Sequence, residues 1–280
     1  MPQDSFARWA ALQAWSSDDT NRLGEAADLA FWERIADGYD DGALAVRVPA
    51  VLAHVRSLVP PGSSLLDIGA GTGAFALPLA AVAGRVTALD YSPAMLGILQ
   101  RKLAQDPAIT NVRSVLARWE EAAVEPHDVV LAANALYRAA DLELALRKMI
   151  AAVRRRGIIV WSVGRQDAPQ QVVREQVQPG RYRPGPDYVH VVEGLFTLDT
   201  FAHVDLIHVD DTQRYPTDAA AAEGLLSWSP ILLEEQARVV QLLPHLLERD
   251  GHGWRWRRQG RIAVIWWDQH DAGVRGVTRA

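Results

Sequence analysis

The chain has 280 residues, of which 49% are hydrophobic and 22% are charged, and its formal net charge is −5. This length suits one large α/β domain, and the charge disfavours a general nucleic-acid binder, which is expected to be basic. The absence of cysteine excludes disulfides, thiolate metal sites and cysteine nucleophiles.

No run of apolar residues approaches the ~18 that a membrane span requires. Asp4, Arg8 and Trp9 stand where a signal peptide would need an apolar core. We therefore expect a cytoplasmic protein without a membrane partner. We further expect a monomer or homodimer with a small-molecule partner and with no nucleic-acid or metal partner.

The sequence predicts that residues 1–60 form a helical cap that contains no glycine-rich binding motif. Apolar residues recur there at helical spacing, and Pro60-Pro61-Gly62 ends the last helix. The predicted helices cover residues 6–15, 26–37 and 42–58.

From residue 63 the pattern changes to alternating strands and helices. Ser92 is a candidate N-cap with Pro93 at the first helical position, and Arg154-Arg155-Arg156 suit a helix C-terminus. Five strands joined by helical crossovers predict a parallel, doubly wound sheet. The strands cover 65–68, 86–90, 112–116, 127–133 and 157–163, and the helices include 73–82 and 141–153.

The remainder is less regular. We expect Asp187 and Thr217 to cap helices, and a hairpin around Gln259-Gly260 to supply an antiparallel strand. The other predicted elements are helices at 170–178, 187–195, 218–228 and 231–249, a loop at 179–186 and a strand at 202–209.

One glycine-rich turn follows the first strand and is flanked by two strand-end acids. Gly69-x-Gly71-x-x-Ala74 satisfies the fingerprint of dinucleotide-binding folds, with Asp90 placed to hold a ribose. Asp67, two positions before the first glycine, suits a ligand with an ammonium group better than a pyrophosphate. The Asp-x-Gly-x-Gly-x-Gly form therefore favours S-adenosylmethionine over NAD.

Two segments carry a family resemblance: Asp67-Ile68-Gly69-Ala70-Gly71-Thr72-Gly73, and Leu89-Asp90-Tyr91-Ser92-Pro93-Ala94-Met95-Leu96. They resemble the class I S-adenosylmethionine-dependent methyltransferases, within the small-molecule branch that includes the ubiquinone/menaquinone-biosynthesis type. The resemblance is strong over residues 63–163 and only topological afterwards.

That resemblance implies a Rossmann-like, doubly wound, mainly parallel seven-stranded sheet with an antiparallel last strand. The methyltransferase core would span 61–270, with lid-forming insertions at about 165–200 and 212–250 added to the helical cap, and a tail at 271–280. The implied cofactor is S-adenosylmethionine, with S-adenosylhomocysteine as its product.

The resemblance also implies residue roles in the cofactor site. Asp67 would lie near the methionine ammonium, partly through water, and Asp90 would accept both ribose hydroxyls. Tyr91 and Met95 would pack against adenine. The turn itself would surround the methionine and ribose portion with Gly69, Ala70, Gly71 and Gly73.

Later segments would complete that site. Arg118 and Trp119 fall where the family reads the adenine edge, and Asn134 would lie near the methionine portion. Tyr39 is a candidate for the methionine carboxylate. For both Trp119 and Tyr39 an ordinary core role remains the alternative.

The transferred methyl would face Leu136 and Tyr137. A general base is needed only if the acceptor must lose a proton, and the candidates are His190, His208 and Tyr137. A surface or structural role is the alternative for either histidine.

These observations predict S-adenosylmethionine-dependent methyl transfer to a small molecule by in-line displacement, mainly through positioning. The alternatives are a non-catalytic protein that binds S-adenosylmethionine or S-adenosylhomocysteine, and an NAD-dependent oxidoreductase. The sequence leaves open whether the acceptor atom is oxygen, nitrogen, carbon or sulfur.

Overall fold

A computed structural model describes residues 4–15, 24–41, 43–163, 168–177, 179–180, 185–226 and 235–269. The tail predicted at 271–280 lies outside these residues, as do parts of both predicted insertions. Among the described helices, none is long and apolar enough to cross a bilayer.

The strands form one sheet with the order β3-β2-β1-β4-β5-β8-β6, and the short strand β7 pairs with β8. Neighbours from β3 to β5 are parallel, whereas β8 runs antiparallel to both β5 and β6. The predicted doubly wound sheet with an antiparallel last strand is confirmed. The strands are β1 (Ser64–Ile68), β2 (Arg85–Asp90), β3 (Val112–Leu116), β4 (His127–Ala133), β5 (Val153–Ser162), β6 (His203–Tyr215), β7 (Glu248–Asp250) and β8 (Gly253–Asp268).

Helices cover both faces of this sheet, as crossover connections require. The three N-terminal helices were predicted, and so was the cap of the fifth helix, where the Ser92 hydroxyl accepts the Met95 N–H. The helices are α1 (Ser5–Trp15), α2 (Gly24–Ile35), α3 (Ala43–Ser57), α4 (Ala76–Leu79), α5 (Pro93–Gln105), α6 (Leu142–Ala152), α7 (Pro169–Val177), α8 (Tyr188–Thr197), α9 (Asp218–Leu226) and α10 (Gln236–Leu246).

The core lies on both faces of the sheet because strand residues alternate between them. On β1, Leu66 and Ile68 face a cluster formed with α1, α6 and α8. Leu65 faces the opposite cluster, formed with α3, α4 and α5. A third cluster joins α7, α9 and α10 to Tyr215 and Trp254 near the far ends of β6 and β8.

The helix predicted at 73–82 is wrong in extent, because α4 is a single turn, Ala76–Leu79. The backbone of Gly73 has φ 85°, outside the right-handed helical region, so the glycine turn continues past this residue. Pro78 further weakens a longer helix, since it offers no backbone N–H.

The arginine run 154–156 was predicted to end a helix, but this prediction is wrong because the run belongs to β5. Arg156 explains the difference. Its guanidinium donates to both carboxylate oxygens of Asp268 at 2.8 Å and lies 4.8 Å from the centre of the Trp266 ring, both on β8. Cross-strand partners therefore hold this run in the sheet.

The hairpin predicted at Gln259-Gly260 is also wrong, because β8 continues through both residues. They pair with Asp210 and Val209 of β6, and this ladder overrides the local turn signal. The turn lies instead between β7 and β8, so the helix predicted to reach residue 249 ends at Leu246.

Candidate cofactor site

A cavity of about 440 Å³ lies at the carboxyl ends of β1, β2 and β4. This edge is where open α/β sheets bind ligands, and the volume suits a small molecule. The strands contribute Ile68, Leu89, Asp90 and Ala133; the other lining residues are Asp28, Trp32, Tyr39, Gly69, Gly71, Tyr91, Met95, Ala117, Arg118, Trp119, Glu120, Asn134, Ala135, Leu136, Tyr137 and Ala139.

The glycine turn brings backbone to the cavity wall. Gly69 has φ 67° and Gly71 has φ 54°, and the Gly69 N–H donates to the Leu89 carbonyl at 2.8 Å. A Cβ on Gly69 would stand 2.5 Å from the Cβ of Ala135, whereas a Cβ on Gly71 would meet no atom within 4 Å. Gly71 therefore borders open space in the cavity, and Gly69 permits close packing of the turn.

Asp90 is fixed against this turn. One carboxylate oxygen accepts the N–H of Gly71 and the other accepts the N–H of Ser92, both at 2.8 Å. Burial raises the pKa of Asp90, while backbone hydrogen bonds from Ser92, Gly71 and Tyr91 lower it. The turn and the second strand-end acid thus form one rigid unit on the cavity wall.

Asp67 lies behind the turn and does not line the cavity. It shares the face of β1 that α4 covers, where it is 1% exposed and accepts a hydrogen bond from the Ala76 backbone. Burial, and secondarily the charge of Asp90, raise the pKa of Asp67 to about 8. Its Oδ2 has no hydrogen-bond partner among the described residues.

The segments after β2 and β3 form an aromatic wall. The Arg118 guanidinium lies 4.8 Å from the centre of the Tyr91 ring, and Met95 is buried beside them. Trp119 donates its Nε1–H to the Ala145 carbonyl at 3.2 Å and is 6% exposed. Trp119 is therefore a core residue that also lines the cavity.

The segment after β4 forms the facing wall. Asn134 has φ 48°, and its Oδ1 accepts the Ser162 N–H at 2.9 Å, which ties the segment to β5. Asparagine tolerates this left-handed conformation better than most residues. Leu136 and Tyr137 follow in a short 3₁₀ turn and line the cavity.

Helix α1 holds this segment from outside. Trp9 donates its Nε1–H to the Ala139 carbonyl at 2.9 Å, and Gln13 donates to the Tyr137 carbonyl at 2.5 Å. Trp9 is fully buried and packs edge-on against Trp161.

Helix α2 and the 3₁₀ turn after it close one side of the cavity. Tyr39 packs edge-on against Trp32, and burial, reinforced by the charges of Asp90 and Asp40, raises the pKa of Tyr39 to about 12. Asp28 also lines the cavity and was not predicted. Its i, i+4 spacing to Trp32 places both side chains on one face of α2, but this spacing does not show that the face meets the cavity.

The two histidines proposed as bases do not line the cavity. His190 completes the capping box of α8, where its Nδ1 accepts the Asp187 N–H at 3.0 Å. His208 is exposed in the middle of β6, opposite Arg261, because this strand runs to Tyr215 and does not end near residue 209 as predicted.

Within the described part of the chain, no group of three or more metal-ligating side chains is suited to a metal ion.

The predicted site residues divide into those that line the cavity and those that do not. The predicted residues outside the lining are Asp67, Ala70, Gly73, His190 and His208, and those on it are Tyr39, Gly69, Gly71, Asp90, Tyr91, Met95, Arg118, Trp119, Asn134 and Tyr137.

Comparison with known proteins shows which family this chain resembles. A methyltransferase domain matches residues 65–157, which span β1 through the start of β5. An uncharacterized protein of Haemophilus influenzae is 31% identical over 222 residues, covering 75% of this chain and 78% of that protein. A ubiquinone biosynthesis O-methyltransferase of a Methylobacterium strain is 31% identical over 152 residues, covering 48% of this chain and 61% of that enzyme.

The chain belongs to the class I S-adenosylmethionine-dependent methyltransferases.

This methyltransferase also shares its fold with a solved structure. The YcgJ protein of Bacillus subtilis superimposes with a TM-score of 0.55 and 14% identity, covering 78% of this chain and 97% of that chain. Membership in the methyltransferase family means that S-adenosylmethionine is the cofactor, and it rules against the NAD-dependent oxidoreductase.

Proposed function

We propose that this methyltransferase transfers a methyl group to a small-molecule acceptor, mainly by positioning donor and acceptor in line. Bound S-adenosylmethionine supplies a methyl group that is already activated by its sulfonium, so orientation accounts for much of the rate. A small molecule is favoured over nucleic acid because the net charge is −5.

One observation carries the proposal: Asp90 lines the cavity at the end of β2 while its two carboxylate oxygens accept backbone N–H groups. A carboxylate oxygen has lone pairs beyond the one used here, which suits the hydroxyls of a ribose. The open space beside Gly71 is the room that such a ligand needs. The residues present therefore fit the cofactor.

The remaining cofactor roles are part of the same proposal. Tyr91, Met95 and Arg118 would border the adenine, and Asn134 and Tyr39 the methionine portion. Asp67 lies behind the turn and would act on the ligand only through the backbone of that turn.

The acceptor is proposed to lie against the segment after β4. Apart from Asn134, the lining residues of this segment and of the end of β4 are apolar or carry a single hydroxyl, which favours an uncharged part of the acceptor. They are Ala133, Ala135, Leu136, Ala139 and Tyr137. Since His190 and His208 lie off the cavity, we propose an acceptor that needs no histidine base, with Tyr137 orienting it. Oxygen acceptors are the first to test, because the named Methylobacterium relative is an O-methyltransferase.

The test is formation of S-adenosylhomocysteine from S-adenosylmethionine with phenols, carboxylic acids, amines and thiols in parallel. We expect turnover with at least one oxygen acceptor. Tyr137→Ala should lower kcat about tenfold or more while the affinity for S-adenosylhomocysteine stays within about twofold. Leu144→Ala, at a half-exposed site on α6, is the control and should match the wild type.

Binding of S-adenosylhomocysteine without turnover on any acceptor class would overturn the proposal in favour of the non-catalytic binding protein.

A further inference from the structure

Two side chains of helix α2 hold an aromatic residue of the cavity wall, Tyr91. The Tyr91 hydroxyl donates a hydrogen bond to the Asp28 carboxylate, and Trp32 donates its Nε1–H to the same hydroxyl oxygen at 2.5 Å. These partners lie 63 and 59 positions from Tyr91 in the chain, so the contacts join the N-terminal cap to the end of β2.

The Tyr91 ring is held on a second side as well. Arg118, after β3, lies 4.8 Å from its centre in a cation–π contact. Burial raises the pKa of Tyr91 to about 12, so the hydroxyl keeps its proton and remains a donor at neutral pH. The ring is therefore restrained both at its hydroxyl and at its face.

All four of these side chains line the cavity, and Tyr91 directly follows the acid that carries the proposed function. We propose that Asp28 is a positioning residue for the cofactor: with Trp32, it holds the Tyr91 ring in place as a wall of the cavity. This inference rests on the proposed function, and it gives α2 a part in cofactor affinity that requires no direct bond to the cofactor.

A second acid of the N-terminal helical cap makes only an exposed ion pair. Asp37 pairs with Arg101 of α5 at 2.7 Å, but the two side chains are 91% and 62% exposed, and neither lines the cavity. Exposed pairs of this kind contribute little. Asp37 therefore offers a matched control, an acid of the same cap that does not touch Tyr91.

The experiment is calorimetric titration of the full chain with S-adenosylhomocysteine, with the melting temperature of each unliganded variant measured alongside. We expect Asp28→Ala and Tyr91→Phe each to weaken binding about tenfold, the value of one partly buried hydrogen bond to a charged group. The double variant should bind no more weakly than the worse single variant, because both changes remove the same contact.

Two further variants separate the explanations. Asp28→Asn keeps an acceptor oxygen for the hydroxyl and should stay within about threefold of the wild type. Asp37→Ala should stay within about twofold, which shows that loosening the cap elsewhere does not reproduce the effect.

Additive losses in the double variant, wild-type affinity in Asp28→Ala, or equal losses in Asp28→Asn and Asp28→Ala would each overturn the inference. If Asp28→Ala does not fold, Asp28→Asn and Tyr91→Phe decide it alone, since Tyr91→Phe must weaken binding and Asp28→Asn must not. A folded wild type that fails to bind S-adenosylhomocysteine would instead refute the proposed function.

Discussion

At the scale of single residues, Asp67 shows how one carboxylate can identify a ligand class without touching the cavity. Its position two residues before Gly69 distinguished the methyltransferase turn from a dinucleotide turn. The alternation of β1 nevertheless directs the side chain to the face covered by α4, where it is 1% exposed. An acid in this position costs stability whenever it is ionised.

That cost predicts a pH dependence. The pKa of Asp67 is raised from 3.8 to about 8 by burial first, so the folded chain binds more protons than the unfolded chain between these values. Because of this residue, the free energy of unfolding falls as the pH rises from about 4 to 8. Above about pH 8 the contribution of Asp67 no longer changes. Relative to the wild type, Asp67→Asn should gain about 4 kcal/mol between pH 5 and pH 9, because the raised pKa spans about three of these pH units at about 1.4 kcal/mol each.

Urea denaturation of both proteins at pH 5, 7 and 9 measures this difference. The fixed cost of burying an amide cancels between pH values. A stability difference that does not change with pH would show that Asp67 is ionised throughout.

At the scale of elements, α1 acts as a brace for the segment after β4. Trp9 and Gln13 donate to the carbonyls of Ala139 and Tyr137, so the wall proposed for the acceptor depends on an N-terminal helix. Nothing in the local pattern of residues 6–15 pointed to this contact, because its partners lie more than a hundred residues away.

The brace predicts a stability loss for a small change. Trp9→Phe keeps an aromatic ring but leaves the buried Ala139 carbonyl without its donor, and should cost about 2 kcal/mol in the free energy of unfolding. Arg8→Ala on the same helix removes only a half-exposed pair with Glu193 at 3.9 Å, and should change stability by less than about 0.5 kcal/mol. Chemical denaturation measures the stability loss of each variant. Equal losses would show that the hydrogen bond from Trp9 to Ala139 adds nothing to the packing of α1.

Several elements with a local signal were predictable from the sequence. The Ser92 cap, the Asp187 cap and the glycine turn depend on neighbours within a few residues, and the structure has all three. The Gln259-Gly260 turn failed because the ladder with β6 outweighs a local preference. His190 lies off the cavity for a different reason: its Nδ1 accepts the Asp187 N–H in the capping box of α8, a structural role that the residue type alone does not reveal.

At the scale of the whole molecule, the cavity is assembled from distant segments on a common sheet edge. The carboxyl ends of β1, β2 and β4 were predictable because parallel strands place their ends together. The contribution of Asp28 was not, since it depends on how the cap packs against Tyr91. The strand pattern therefore predicts the strand-end wall of the cavity better than the wall formed by α2.

We propose that this cavity binds the methyl donor through Asp90, and calorimetric titration with S-adenosylhomocysteine measures that binding. We predict one site per chain in the wild type and a loss of about a hundredfold in affinity for Asp90→Ala, because hydrogen bonds to a charged group are removed. Asp106→Ala, an exposed acid at the end of α5, should bind as the wild type does. No binding by the folded wild type, or unchanged affinity in Asp90→Ala, would contradict the claim.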